Sequence, residues 1–143
     1  MPDKRMPWLL ALGFAALLAA CAGETPEARI RAAIGALEEA VEARRPGDFV
    51  ALLSADFSGD RGRFDRAGMR AFLAGQLLGA ERIEVVLGPV EVTLHGQRAT
   101  ATLSALVSGG RYLCDRNDTL RLRTGWRLED GDWLCYFAER IDE

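Results

Sequence analysis

Asp56 followed by Phe57 has the make-up of a carboxylate base beside an apolar surface, and the hydroxyl of Tyr112 or Tyr136 could serve it as a partner at an oxyanion. The competing reading gives Asp56 to the backbone donors of a turn, where short acids commonly sit. His95 is the only histidine and stands beside Gly96 in a hairpin turn, where a base would face bulk water. A single histidine does not supply the several His and Cys ligands of a metal site, so neither metal nor cofactor is expected. Arg121, Arg123 and Arg127 alternate along one segment, with Arg140 expected opposite Arg121. Such a ladder can hold an anionic ligand, a lipid headgroup or an acidic partner, because guanidinium binds carboxylate and phosphate in bidentate fashion. It can equally be a solvated sheet face balanced by Glu91 and Glu139.

The elements that must position these residues follow from periodicity. Thr25-Pro26-Glu27 opens a helix with a hydroxyl cap, a proline where no N–H is needed and an acid in the first turn. Ile30, Ile34, Leu37 and Val41 fall on one stripe of that helix. Arg44-Arg45-Pro46-Gly47 ends it, and Pro46 begins a short second helix carrying Phe49, Leu52 and Leu53. A chain reversal is expected at residues 54–56 and a loop over 57–63. Asp65 caps a third helix whose apolar side is Met69, Phe72, Leu73 and Leu77. From Arg82 onward the period becomes two. A turn at His95-Gly96 would pair Val92 with Ala99 and Val90 with Ala101.

In the last hairpin, turning at Asp130-Gly131, Leu128 should oppose Trp133, Trp126 should oppose Cys135, and Thr124 should oppose Phe137. Tyr136 then falls opposite Gly125 on the arginine face, as a surface or interface aromatic. Trp126, Trp133, Phe57 and Phe72 are core residues that could also line a pocket at an open end. Helices followed by an antiparallel sheet make the fold class α+β. Cys114 and Cys135 invite a disulfide in an oxidising compartment. The strand between them sets their ends ~26 Å apart at about 3.3 Å per residue, however, against a limit near 7 Å between Cα atoms. A bridge therefore requires the 108–117 loop to fold back; otherwise Cys135 is a buried thiol.

The chain has 143 residues, 49% apolar and 27% charged, with a net charge of -3, which suits one globular domain and offers no basic surface for nucleic acid. Lys4 is the only lysine. Basic residues at Lys4 and Arg5, a charge-free run over 8–20 and the small pair Ala19-Ala20 form a secretory signal peptide too short to span a bilayer. Leu18-Ala19-Ala20-Cys21 resembles the lipobox of bacterial lipoproteins. The resemblance implies cleavage before Cys21, acylation (palmitate among the chains) and anchorage to a leaflet. Ala22-Gly23-Glu24, with no Asp after the cysteine, points by the same resemblance to the outer membrane facing the periplasm. The expected division is a signal peptide over 1–20, lipidated Cys21 and a tether over 21–24, and a domain over 25–143.

That domain resembles the nuclear transport factor 2-like superfamily, or cystatin-like cone fold. The residues that carry the likeness are the long first helix, Pro46-Gly47-Asp48-Phe49 leading to Leu53-Ser54-Ala55-Asp56-Phe57, and the closing Gly125-Trp126-Arg127-Leu128-Glu129-Asp130-Gly131-Asp132-Trp133-Leu134. The resemblance implies three helices in the concavity of a strongly bent antiparallel sheet, with a pocket at the mouth of the cone. Superfamily members include isomerases, cyclases and dehydratases as well as binding and dimerising domains, and fold alone does not choose among them. The leading expectation is a lipid-anchored envelope domain that binds a small molecule or an envelope protein without catalysis. The alternatives are an isomerase, lyase or cyclase with Asp56 as base at the cone mouth, and a homodimeric scaffold joined through Leu134, Tyr136 and the arginines.

Overall fold

The computed structural model describes residues 23–109 and 118–141; Cys21, Tyr112 and Cys114 lie outside the described residues. Helix α1 (Pro26–Glu42) begins where expected, with the Thr25 hydroxyl accepting from the Ala28 N–H and Pro26 in the first turn. Its Ile30 and Ile34 are buried, and Leu37 and Val41 pack against the same core. Helix α2 (Pro46–Ala51) is shorter than the apolar pattern suggested: Leu52 caps it and Leu53 already begins β1 (Leu53–Gly59). The third helix, α3 (Arg66–Leu78), is capped by Asp65, which accepts from the Gly68 N–H at 2.7 Å.

Four long strands follow: β2 (Glu84–His95), β3 (Arg98–Ser108), β4 (Asp118–Glu129) and β5 (Asp132–Arg140). The sheet order is β1-β5-β4-β3-β2, antiparallel throughout except that β1 lies parallel to β5. Helix α1 touches both β2 and β5. On a flat sheet those strands would stand about 14 Å apart, so the sheet curls around the helix. The α+β cone expected from the sequence is the observed architecture.

Three local expectations are corrected. The reversal at 54–56 and the first part of the expected loop, 57–59, are instead a strand, while 60–63 form the turn; Leu53-Ser54-Ala55-Asp56-Phe57-Ser58-Gly59 lacks β-branched residues and alternates poorly, and it is held by pairing with β5 through an irregular register. The β2–β3 turn is Gly96-Gln97, with Gly96 at φ 65°, so Val92 faces Ala101 and Leu94 faces Ala99. A positive φ at the first turn position is where a two-residue hairpin wants glycine. Because the slip is two residues, every side chain keeps its face. The third change is a bulge in the final hairpin. Leu128 faces Trp133 and Trp126 faces Cys135 as expected, but beyond the irregularity Gly125 faces Phe137 and Thr124 faces Ala138. Arg140 accordingly stands opposite Leu122 and not Arg121.

The outer edge of β2 is not left bare. From α1, Glu42 accepts the Val85 N–H at 2.9 Å and Arg31 donates to the Val90 carbonyl, so helix side chains occupy groups that could otherwise recruit another strand.

Candidate functional site

Asp56 and Arg127 alternate with core residues of their own strands and so project from the face of the sheet that the helices do not cover. Arg127 donates to Asp56 at 2.6 and 3.4 Å and lies 3.6 Å from Glu129, which accepts from the buried Ser54 hydroxyl. Arg98 stands directly opposite Arg127 in the ladder, a like-charge pairing that repels. The Tyr136 ring relieves it, with guanidinium carbons 5.6 Å (Arg98) and 5.1 Å (Arg127) from its centre. Tyr136 sits in the bulge and meets Phe137 edge-on at 5.1 Å. Phe137 in turn lies over Gly125, where a Cβ would overlap the ring. The bulge thus turns two consecutive aromatic residues toward the helix-free face.

The hydrogen bond from Arg127 holds the Asp56 carboxyl below its ordinary value, the opposite of what a base working near neutrality needs. A depressed carboxyl contributes stability above the unfolded value near 3.8 and loses it as pH falls through the folded one. Asp56→Asn should therefore flatten the acid limb: the urea midpoints of wild type and variant differ more at pH 5 than at pH 2.5. Midpoints that differ equally at both would refute the pairing.

Of the other arginines, Arg123 pairs with Glu139, from Nε at 2.8 Å, while Arg121 lies exposed one step further along β4. The acids that balance Arg123 and Arg127 include Asp56, Glu129 and Glu139, with Asp56 in the role expected of Glu91. Arg98 and Ser54 belong to this cluster and were not singled out from sequence; Arg98 becomes visible only once the β3–β4 register sets it across from Arg127. His95, the last residue of β2, is exposed beside the turn.

The four expected pocket residues do not converge. Phe57 and Trp126 are in the core at 4% and 0% exposure, and the Trp126 indole N–H bonds the Thr124 hydroxyl, which bonds the Ala101 carbonyl. Phe72 meets Phe64 with the rings tilted at 41° and 5.0 Å between centres, off the main core, and Gln76 takes a buried place on α3 that the apolar pattern had not included. Trp133 lines a cleft at the other side of α1. Among the described residues, no three His, Cys, Asp or Glu side chains cluster to hold a metal, and no helix is long and apolar enough to cross a membrane.

Cys135 is a free thiol, 2% exposed, whose Sγ donates to the Phe137 carbonyl. Cys114, the other half of the disulfide that the compartment invites and the strand length opposes, is outside the described residues. Burial pushes the Cys135 thiol up to about 12. Because this folded value is raised, stability is intact below the unfolded thiol value near 9 and declines as pH climbs from there toward 12. In a Cys21→Ser/Cys114→Ser chain, iodoacetamide at pH 8 should leave Cys135 unmodified in buffer and alkylate it in urea; rapid native labelling would contradict this burial.

No protein-family model matches the chain, and no curated protein matches it in sequence. Solved structures do match in shape. A nuclear transport factor 2-like protein from Cytophaga hutchinsonii superposes with a TM-score of 0.69 at 16% identity, covering 84% of this chain and 100% of that one. A cystatin-like protein of unknown function from Nostoc punctiforme gives 0.65 at 14%, covering 80% and 88%. A candidate scytalone dehydratase from Novosphingobium aromaticivorans gives 0.67 at 16%, covering 80% and 81%. The fold is therefore the nuclear transport factor 2-like, cystatin-like cone. At these identities the likeness is one of fold.

Proposed function

We propose that the chain is a lipoprotein of the bacterial cell envelope, anchored through Cys21 to the outer membrane, whose domain docks an envelope protein through the helix-free face of its sheet and performs no catalysis. The observation that carries this reading is the cluster of Tyr136 between Arg98 and Arg127 with Phe137 beside it. Tyrosine, phenylalanine and arginine are the residues enriched at protein interfaces, and here they sit on a sheet whose other face is already packed. The isomerase or lyase reading took Asp56 as its base; an ionised Asp56 held by Arg127 on the outer face leaves that reading without one.

Two measurements on the full chain in a bacterial host test the two halves. Cys21→Ser should abolish labelling by a palmitate analogue and release the protein from the membrane fraction; unchanged labelling removes the anchor. Replacing Phe137 by photoreactive p-benzoylphenylalanine should give one discrete cross-linked species, absent when the probe is placed at Leu78, which is 91% exposed on α3. A band at twice the chain's mass would replace the foreign partner with a second copy, the scaffold alternative. No cross-link from position 137 refutes docking on this face.

A further inference from the structure

The row of the outer sheet face nearest the hairpin turns is His95 on β2, Arg98 on β3 and Arg127 on β4, each directly opposite the next. Two arginines side by side cost stability, and they stand here in a chain whose net charge is -3. The row beyond them, Thr93, Thr100, Gly125 and Phe137, carries no charge.

The arginines of this face are not equally served. Arg127 has Asp56 at 2.6 and 3.4 Å and Glu129 at 3.6 Å, and Arg123 has Glu139, from Nε at 2.8 Å. Arg98 is exposed and touches no carboxylate among the described residues; it rests on the Tyr136 ring, 5.6 Å from its centre. Asp56 feels the charge of Arg98 but gives both carboxylate oxygens to Arg127. An aromatic ring steadies a guanidinium through its face and leaves the N–H donors at its rim for an acceptor. That planar fork matches the two oxygens of a carboxylate.

From the unmatched guanidinium held on Tyr136 we infer that Arg98 receives an Asp or Glu side chain of the docked envelope protein. The partner therefore presents an acidic segment, with an apolar residue beside the acid to meet Phe137. The inference rests on docking at the helix-free face and names the chemistry that this face selects.

The test uses the full chain in its bacterial host with p-benzoylphenylalanine at position 137. Arg98→Glu should lower the yield of the cross-linked species about tenfold or more, because it sets like charges against each other at the contact. Arg98→Gln should lower it less, and Arg98→Lys, which keeps the charge and loses the fork, should fall between Arg98→Gln and wild type. Arg70→Glu, the same change of charge on the exposed side of α3, should leave the yield as it was. Mass spectrometry of the species formed with Arg98 in place, a measurement that needs no variant at that position to fold, should map the attachment to a partner peptide with an Asp or Glu beside it. A yield unchanged by Arg98→Glu, an equal loss with Arg70→Glu, a mapped peptide without an acid, or one from a second copy of this chain would each overturn the acidic partner while leaving docking at this face in place. No cross-linked species with Arg98 in place would refute the docking itself, and this inference with it.

Discussion

Trp126→Ala is expected to cost about 4 kcal/mol of folding stability, the range for removing a large ring from a closed core. Trp126 is 0% exposed and is surrounded by the small residues of the neighbouring strand, Ala99 opposite it and Ala101 beside it, both at 1% or less. Alanines there leave room for one indole, and no larger neighbour can move in to fill its place. The loss also has a polar part. Trp126 Nε1–H donates to Thr124 Oγ1 at 2.9 Å, and that hydroxyl donates to the Ala101 carbonyl at 2.9 Å. Trp126→Phe keeps most of the packing and removes only the first link, so it should cost about 1–2 kcal/mol. Urea midpoints at unchanged slope measure both effects. An alanine variant within 1 kcal/mol of wild type would mean that the interior of the cone is loose. Several kilocalories of lost stability would instead show the interior to be structural core. That outcome would favour a reading in which recognition happens on the outside of the cone.

What could be read in advance follows from how local the determining interactions are. Thr25 and Asp65 cap their helices through the hydroxyl and carboxylate three residues ahead of their partners, and Asp130-Gly131 makes its turn with both residues at positive φ, 49° and 86°. Each depends on neighbours in sequence. Strand β1 does not: its residues have weak β preference, and it exists because β5, some eighty positions later, offers it an edge. The bulge at Gly125/Trp126 was equally hidden, since strict alternation places Phe137 in the core opposite Thr124. It is the bulge that brings Phe137 beside Tyr136 on the outer face, so the candidate interface depended on the feature that periodicity could not supply. Asp56 was noticed for the right reason, a carboxylate next to a buried ring. Its function depends on which face of a strand it takes, and that was settled by Arg127, two strands away across the sheet.

Arg44→Ala is expected to cost about 2–3 kcal/mol, a large effect for a side chain at the protein's surface. Helix α3 ends without local help: its cap residue Gly79 is right-handed at φ -87°, not in the left-handed form that closes a helix end, and there is no basic residue in its last turn. A carbonyl of its last turn and two just beyond its end are served from elsewhere. Arg44 donates Nη1 to the Leu77 carbonyl at 2.9 Å and Nη2 to those of Ala80 and Glu81, each at 2.5 Å. A guanidinium fork can span three carbonyls and also sets a positive charge at the negative pole of the helix. To reach there, Arg44 adopts φ 58° just beyond α1, a conformation that costs a residue with a Cβ about 1 kcal/mol. The two contributions can be separated by substitution. Arg44→Ala loses the donors and keeps the strain, whereas Arg44→Gly loses the donors and relieves it. The glycine variant should therefore be the more stable of the two by about 1 kcal/mol, and both should lie below wild type. Lysine, with a single ammonium in place of the fork, should recover only part of the loss. Hydrogen exchange should accelerate at the α3 amides near Leu77 before it does in α1. An alanine variant equal to wild type, or one more stable than the glycine variant, would show that α3 is held by its packing alone and that the long reach of Arg44 contributes nothing.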